Sequence, residues 1–306
     1  MNKARSLNTA SSQFYLQAMA LPAVIWMVIF QYIPMVGAFM SFTNYSIFKP
    51  FSLGPFVGFQ HFIDFFNDAE FSKVVINTLG LSLYKMVVCF PSPIILALLF
   101  NELRKDKFKR VIQTISYLPH FLSWIILGGI LITWLSDTGL VTTLLVKLGI
   151  LRDNVYLLGE PQYFWSVAVI SDLWKEIGFS SIIYIAAITS LDMEIYESAE
   201  IDGASRLGKM WYITLPGISD TILLLLILNI ANIFGSNFDQ IFVLYNPANI
   251  DRSQGIDLFV YRKAFSVSNG QFSFSAAAGL VRSIISALLL FTANSFSKKV
   301  LGKSAF

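Results

Sequence analysis

The sequence predicts an all-α membrane protein: one transmembrane domain over residues 1–306, with six membrane-spanning helices and a helix–turn–helix between the fourth and the fifth. Three observations predict this fold class. The chain is 55% hydrophobic and 13% charged, with a mean hydropathy of +0.64, which is far more apolar than a soluble domain. Six apolar runs are each long enough to cross a bilayer, which takes roughly 20 residues. One polar segment between them has the pattern of two short helices.

The first span contains Pro22 and Pro34, which indicate bends. Lys3 and Arg5 precede it, but the small-residue triplet Ala18-Met19-Ala20 lies near the start of the apolar run, whereas a signal-peptide cleavage site follows the run. We therefore expect an uncleaved first span. The six predicted spans are about 14–42, 74–100, 111–134, 163–188, 215–234 and 275–296.

Basic residues between the spans set the orientation of the chain. They form three clusters: Lys3 with Arg5; Arg104, Lys105, Lys107, Lys109 and Arg110; and Lys298, Lys299 and Lys303. An even number of spans separates these clusters, so all three lie on one side, which the positive-inside rule makes the cytoplasm. Both termini are predicted to be cytoplasmic, and the loops 44–72, 136–162 and 237–274 extracytoplasmic.

Residues 192–214, called the knuckle below, predict a helix–turn–helix on the cytoplasmic side. The first half has apolar residues near helical spacing: Ile195, Tyr196, Ala199 and Ile201. The pair Asp202-Gly203 then predicts a sharp turn, since glycine accepts a positive φ. A second short helix should run from Ser205 to about Tyr212, with Pro216 in the first turn of the fifth span.

The knuckle is acidic although it lies on the cytoplasmic side. Its acidic residues are Asp192, Glu194, Glu197, Glu200 and Asp202, and its basic residues are Arg206 and Lys209. Aspartate and glutamate weigh little in the positive-inside rule, so this excess does not change the orientation. We interpret it as the mark of a protein partner at the cytoplasmic face.

The sequence of the knuckle resembles a known motif. Its spacing is similar to the coupling loop in permease subunits of binding-protein-dependent ABC importers: Glu197-x-Ala199-x3-Gly203-x9-Ile213-x-Leu215-Pro216. Ser198 stands where that family usually has alanine. The resemblance implies the type I ABC importer permease fold. It also implies that this loop, with Asp202 in it, docks into a cleft of an ATPase subunit, where Glu197 meets the partner and Gly203 allows the bend.

Further segments resemble the maltose-type branch of the family, which imports oligosaccharides and polysaccharides. They are Tyr117-Leu118-Pro119-His120-Phe121, Ser123-Trp124, Asn237-Phe238-Asp239-Gln240, Tyr245-Asn246-Pro247 and Tyr261-Arg262. The resemblance implies half of a translocation pore in a bacterial inner membrane, paired with a second permease that the family favours as a different chain. It also implies two cytoplasmic ATPase subunits, which hold ATP and magnesium, and an extracytoplasmic sugar-binding protein. This chain itself would bind no cofactor.

Gly203 to Lys209 also fits the first seven positions of a phosphate-binding loop. At the eighth position Met210 replaces the serine or threonine that ligates magnesium, and the sequence predicts no strand before the loop. We therefore expect that this chain does not hydrolyse ATP.

Five ionisable residues fall within the predicted spans: Lys85, Asp172, Lys175, Glu176 and Arg282. Charges at membrane depth are costly, so they normally pair or face a bundle interior or a water-filled path. The spacing of Asp172 and Lys175 allows a local pair on one helix. Two interpretations stay open: a proton relay, and structural pairing or lining of an interface with a second permease. Lys85 and Arg282 either snorkel towards the surface or pair with the acidic residues.

Hydrogen-bonding side chains follow the fifth span and its outer end: Asn229, Asn232, Asn237, Asp239 and Gln240. Sugar hydroxyls need both donors and acceptors, which such side chains supply. By resemblance, the region from Asn237 to Gln240 corresponds to the place where cargo meets the permease midway across the membrane. The alternative is that the amides bond neighbouring helices.

The runner-up function is an ion-coupled secondary transporter with Asp172 and Glu176 as coupling groups. An enzyme is not predicted, because the sequence offers no nucleophile–base or metal constellation. His61 and His120 are isolated and Cys89 is the single cysteine, so we expect neither a metal site nor an internal disulfide. Membrane lipid is an expected partner, and no basic-aromatic patch indicates nucleic acid.

Overall fold

The structure is a computed structural model in which residues 2–49, 52–103, 105–235, 237–265 and 270–301 are described. The elements in these ranges are helical, apart from one isolated antiparallel bridge between Thr43 and Phe56. Contacts divide the chain into two compact units, one formed by residues 1–68 and 262–281 and the other by 69–261 and 282–306. The expected single transmembrane domain stays a prediction.

The first unit begins with a long apolar helical segment. Its parts are the α-helix Asn2–Met27, the π-helical turn Val28–Tyr32, the short helix Ile33–Met35 and the 3-10 helix Val36–Phe42. Pro34 has no N–H to donate to the carbonyl four residues earlier, so the regular ladder is interrupted where the π turn lies. Residues Gln13–Phe42 are long and apolar enough to cross a membrane, and none of their most apolar window is buried.

The rest of the first unit packs around a short helix. After the bridge between Thr43 and Phe56, helix Gln60–Phe66 places the buried Phe65 against Phe274, with ring centroids 6.1 Å apart. This edge-on aromatic contact joins two segments that are distant in sequence.

The second unit contains most of the helices. They are Phe71–Cys89, Pro91–Asn101, Asp106–Tyr117, Leu118–Phe121 (3-10), Trp124–Trp134, Leu140–Lys147, Pro161–Thr189, Met193–Ile201, Arg206–Lys209, Met210–Thr214 (π), Leu215–Gly217, Ser219–Ala231, Phe238–Leu244 and Ile250–Ser253. Two further helices, Ile256–Phe265 and Phe272–Leu301, contribute residues to both units.

The core of the second unit forms around its longest helix, Pro161–Thr189. Phe164 and Ala168 on this helix are fully buried. A Cβ at Gly178 would stand 2.0 Å from the carbonyl oxygen of Ser116, so glycine is what lets the two backbones approach this closely. The centre of the unit is therefore fixed by tight helix packing.

Single helices and bent pairs supply the candidate membrane spans. The single ones are Gln13–Phe42, Phe71–Asn101 and Phe272–Lys299. The bent pairs are Asp106–Phe121 with Trp124–Trp134 at 97°, Pro161–Thr189 with Met193–Ile201 at 73°, and Arg206–Gly217 with Ser219–Ala231 at 61°. The described part of the chain thus holds three candidate spans, or up to six if each bent pair is one span.

The third predicted span differs from the helices in the structure. Residues 111–134 were predicted as one span, and the structure divides them between two helices: the one ending at Phe121 meets the one starting at Trp124 at 97°. Pro119 lies in the final 3-10 turn before the bend. Its missing N–H weakens the helix at this point, which accounts for the break.

The fifth predicted span also differs. It was expected to start at Leu215 with Pro216 in its first turn, but the long helix starts at Ser219 after a bend of 61°. Pro216 belongs to a separate three-residue helix. A π-helical turn, Met210–Thr214, precedes it, as a π turn precedes Pro34, and the same loss of a backbone donor explains both.

Candidate functional site

The knuckle is a pair of short helices joined at a glycine. Helix Met193–Ile201 is followed by its C-cap residue Asp202 and then by Gly203, which has φ +74°. The next helix, Arg206–Lys209, runs into the π turn. A positive φ is strained for any residue with a Cβ, so Gly203 is what permits the turn.

Side-chain caps define where both helices of the knuckle start. Asp192 accepts a hydrogen bond from the backbone N–H of Glu194 at 3.0 Å, and Ser205 accepts one from Gly208 at 3.1 Å. These acceptors satisfy donors that a helix start otherwise leaves free. The Gly203 to Lys209 segment is therefore a turn and a capped helix. A phosphate-binding loop follows a β-strand, and no strand precedes this segment in the described residues.

The base of the knuckle is pinned. The Tyr196 hydroxyl and the buried Thr214 hydroxyl form a hydrogen bond of 2.9 Å between the two arms. A Cβ at Gly217 would stand 2.8 Å from the Leu191 side chain, so these segments pack closely as well. These two contacts hold the arms of the knuckle together at its base.

The tip of the knuckle is exposed and has unpaired acidic groups. Glu194, Glu197 and Asp202 are exposed and make no ion pair with any described residue, while Glu200 pairs with Lys209 at 3.2 Å. Large apolar side chains are exposed in the same segment: Ile195, Ile201, Leu207, Trp211 and Tyr212. Apolar patches bordered by polar groups are typical of surfaces that bind another protein.

The motif residues occupy different positions on this surface. Ser198, Gly203 and Pro216 are exposed, whereas Ala199, Ile213 and Leu215 are half-buried. The exposed motif residues include Gly203 at the turn, and the half-buried ones lie in the helical segments on either side of it. The roles of these residues in coupling stay predictions.

A second candidate region is a cavity of about 330 Å³ within the second unit. Its polar lining includes Lys85, Asp172, Glu176, Asn229, Asn232 and Asn237. Two members of the predicted cargo-binding set, Asp239 and Gln240, do not line it: Asp239 is exposed and Gln240 is fully buried. The cavity therefore joins three of the predicted amides to three of the intramembrane charges.

Lys85 is the centre of the first charge cluster. Its Nζ lies 3.2 Å from Asp172 Oδ2 and donates to Gln240 Oε1 at 2.6 Å. Asn237 Nδ2 donates to the other Asp172 oxygen at 3.4 Å, and Gln240 Nε2 donates to the backbone of Ala168 at 2.6 Å. Asp172 thus pairs with a lysine of another helix, although the spacing had allowed a local pair with Lys175.

Lys175 and Glu176 form a second cluster at the break between two helices. Lys175 Nζ donates to Glu176 Oε1 at 2.9 Å and to the backbone oxygen of His120 at 2.7 Å. His120 Nδ1 lies 2.7 Å from Glu176 Oε2, and its ring stacks on Phe179 at 3.7 Å between centroids. Lys175 thus donates to the His120 carbonyl, which has no partner within the helix because the 3-10 helix ends there.

His120 is the residue whose importance the sequence did not reveal. It was interpreted as an isolated loop or interface residue, yet it is one of two partners of Glu176. The available signal was the need of an intramembrane carboxylate for a partner. No group of metal-binding side chains forms among the described residues.

The last of the five intramembrane charges, Arg282, and two of the predicted amides, Asn229 and Asn232, lie outside these two clusters. Arg282 pairs with Asp257. Asn229 Nδ2 donates to the Leu225 carbonyl of its own helix at 2.9 Å, whereas the Asn232 side chain makes no hydrogen bond to another described residue and only its backbone is bonded. All five intramembrane charges are therefore paired, which favours structural pairing over a proton relay.

Comparison with known proteins assigns the chain to a family. Residues 90–301 match the model described as "Binding-protein-dependent transport system inner membrane component". The chain belongs to this family. The resemblance seen at the knuckle is thus confirmed, and membership makes the protein an inner-membrane permease component of a transport system.

Individual members of the family agree over nearly the whole chain. The permease YteP of a Bacillus subtilis polygalacturonan/rhamnogalacturonan transport system is 39% identical over 94% of this chain and 88% of its own length. The permease-like chain in the crystal structure of a bacterial alginate ABC importer superposes with a TM-score of 0.85, at 36% identity, covering 97% of this chain and 99% of that chain. A related structure shows that transporter with a periplasmic protein bound to an alginate pentasaccharide, with a TM-score of 0.84 at 36% identity over 97% and 98% of the two chains. The predicted type I ABC importer permease fold is confirmed by these matches.

Proposed function

We propose that this chain forms half of the translocation pore of an ATP-driven importer and that its cargo is an oligosaccharide or another complex sugar. The observation that carries the proposal is the knuckle: two capped helices joined at a glycine, with exposed apolar side chains and three acids that have no ion-pair partner in the described part of the chain. Such a surface fits a cleft in a partner, which we assign to an ATPase subunit. A second permease, a different chain, completes the pore, and ATP and magnesium bind in the ATPase subunits.

The cargo class rests on relatives. YteP is named for polygalacturonan and rhamnogalacturonan transport, and the matched crystal structure is of an alginate importer. The complex of that importer with its sugar-loaded periplasmic protein supports delivery of cargo here by an extracytoplasmic sugar-binding protein. The loops 44–72, 136–162 and 237–274 are the proposed docking regions for it.

The geometry suggests how nucleotide binding reaches the cargo path. ATP-driven closure of the ATPase subunits moves the knuckle, and the Tyr196–Thr214 bond carries that motion to its second arm. Helix Ser219–Ala231 follows that arm and carries Asn229, which lines the cavity. Nucleotide energy can shift the pore between inward-facing and outward-facing states only if the ATPase subunits or the binding protein bind these two states with different affinity.

The test is to purify a tagged copy of this chain from its native membrane in mild detergent and identify its companions by mass spectrometry. We expect an ATPase and a second permease in fixed proportion, and ATP hydrolysis stimulated by the sugar-loaded binding protein. A chain that purifies alone, with uptake that collapses with the proton gradient while ATP is present, would instead support the ion-coupled alternative. That alternative lacks a free carboxylate among its two proposed coupling groups, since Asp172 and Glu176 are both paired.

A further inference from the structure

The described residues that line a second cavity all belong to the first unit, and none of them lines the 330 Å³ cavity around Lys85 and Asp172, called the charged cavity below. Its volume is about 600 Å³, within the range of roughly 300–1,000 Å³ that is usual for small-ligand sites. It is bordered by the segment after Thr43, by helix Gln60–Phe66 and by the turn before Phe274. The loops that form it are predicted to be extracytoplasmic.

The side chains around this cavity combine aromatic faces with uncommitted polar groups. Phe48 is 79% exposed and makes no ring contact with another described residue. Tyr45 and Phe272 are half-buried and meet edge-on, with centroids 6.2 Å apart. The side chains of Asn44 and Gln271 are exposed and bond to no other described residue. Planar amides beside aromatic rings are what a hydroxyl-rich ring requires.

The walls of the cavity are held in place. The backbone N–H of Tyr45 donates to the Ser273 hydroxyl at 2.9 Å, and His61 Nε2 lies 3.1 Å from the Thr43 carbonyl. Lys263 pairs with Asp68 at 2.8 Å. These contacts join three segments of the unit, so the free amides and rings are presented on a fixed frame, which lowers the entropic cost of binding.

The charges of the lining select against an acidic ligand. Lys263 is neutralised by Asp68, and the remaining carboxylate, Asp64, accepts a hydrogen bond from Gln60 at 2.8 Å without an ion pair in the described part of the chain. Among the described lining residues the single lysine is ion-paired, so no unpaired lysine or arginine attracts a carboxylate, whereas the Asp64 carboxylate would repel it. An uncharged ligand is therefore favoured over a uronate.

We propose that this cavity binds a neutral sugar unit, with Phe48 stacking on the ring and Asn44 and Gln271 bonding its hydroxyls. It would be a subsite for an oligosaccharide in the loops predicted to be extracytoplasmic, and in this sense the proposal rests on the proposed function. The alternative occupant is a side chain of the binding protein, which the test below separates.

The test is saturation-transfer-difference NMR on the whole importer in nanodiscs, with methyl β-glucopyranoside, methyl α-rhamnopyranoside and galacturonate as probes. We expect signal from the neutral glycosides and little from galacturonate. Phe48→Ala and Gln271→Ala should each weaken the glycoside signal by about fivefold, as expected for the loss of one ring or hydrogen-bond contact. Phe291→Ala is the matched control, because that ring is 67% exposed and lies outside the cavity.

Three results would overturn the inference: no glycoside signal, a signal that Phe48→Ala leaves unchanged, or a Phe48-dependent preference for galacturonate. If Phe48→Ala spares the glycoside signal but weakens stimulation of ATP hydrolysis by the binding protein, the cavity is a docking site for protein. In each case the importer still assembles and hydrolyses ATP. Failure of the proposed function is a different result, in which no ATPase subunit purifies with the chain.

Discussion

The knuckle and the charged cavity treat their ionised side chains in opposite ways. At the knuckle, Glu197 and Asp202 are exposed and have no ion-pair partner among the described residues. In the cavity, Lys85 and Asp172 have only 14% and 16% of their side chains exposed and are paired with one another. Both regions are polar segments in an apolar chain. In the cavity the chain itself supplies the ion-pair partners, and at the knuckle it supplies none for Glu197 and Asp202 among the described residues.

This difference separates two reasons for keeping a charge. A charge at membrane depth without a partner is costly, so the fold supplies one from another helix. An exposed charge in water costs little to leave unpaired, and it stays available to a second protein. We infer that the paired cavity residues hold the helices together, whereas the unpaired knuckle residues are kept for the ATPase subunit.

The largest effect is expected from Gly203→Pro, which should abolish uptake while the protein still inserts. Proline fixes φ near −65° and removes the N–H, whereas Gly203 has φ +74° and donates to the Glu200 carbonyl at 3.1 Å. Gly149→Pro is the matched control, since Gly149 has φ +71° and donates to the Val146 carbonyl at 2.9 Å in a loop outside the knuckle. Uptake by membranes of both variants is compared at equal protein, and retained uptake in Gly203→Pro would contradict the coupling role.

The next effect is on stability. Lys85→Met leaves Asp172, whose side chain is only 16% exposed, without its counter-ion, which should lower the free energy of unfolding by about 3 kcal/mol. Adding Asp172→Asn should recover most of that loss. Lys73→Met is the control, because the Lys73–Asp251 pair is 45% and 64% exposed and its loss should cost less than about 1 kcal/mol. Unfolding in detergent measures all of these, and additive losses in the double variant would rule out the pairing argument.

A smaller effect is expected on coupling. If Glu197 contacts the ATPase subunit as proposed, Glu197→Gln should weaken one charge-assisted hydrogen bond to it, a loss of about 1.5 kcal/mol, or about tenfold. Stimulation of ATP hydrolysis by the sugar-loaded binding protein should fall by this factor. Glu102→Gln, which neutralises a carboxylate in another loop that is predicted to be cytoplasmic, should leave it unchanged. Equal losses in the two variants would show that general surface charge, and not Glu197, matters.

The smallest effect on transport is expected at the helix break. His120→Ala removes the bond to Glu176 and the stack on Phe179, which should cost about 1–2 kcal/mol of stability. Uptake per folded molecule should stay the same, because the cluster is structural. His120→Gln keeps a donor for Glu176 and should recover part of the stability. A loss of uptake in fully folded His120→Ala would instead point to a role in transport.

The features that the sequence predicts well are local ones. Apolar length predicts the long helices, and Asp202-Gly203 predicts the turn, because each depends on neighbouring residues alone. The sequence analysis did not predict the break after Phe121 or the bend after Pro216, although Pro119 and Pro216 stand close to them in the sequence. How far a helix bends depends on the packing around it, which the sequence does not state.

Long-range pairing is the part that the sequence leaves open. Asp172 was assigned a possible local partner in Lys175, but Lys85 of a distant segment reaches it, at 3.2 Å. Likewise Gln240, expected on the cargo path, is buried and bonds to Lys85 and Ala168. Sequence spacing can indicate partners on the same helix, such as Lys175 for Asp172, but which residue of a distant helix comes within reach depends on how the helices pack.

The most direct test of the central claim is a photo-crosslink from the knuckle. Ser198→Cys in a Cys89→Ala background places a single reactive thiol beside Glu197, for labelling with a benzophenone maleimide in the native membrane. Thr138→Cys, exposed in a predicted extracytoplasmic loop, is the control. We predict a crosslink to an ATPase subunit from position 198 and none from position 138. The absence of an ATPase adduct at position 198, in membranes where the importer is active, would contradict the account.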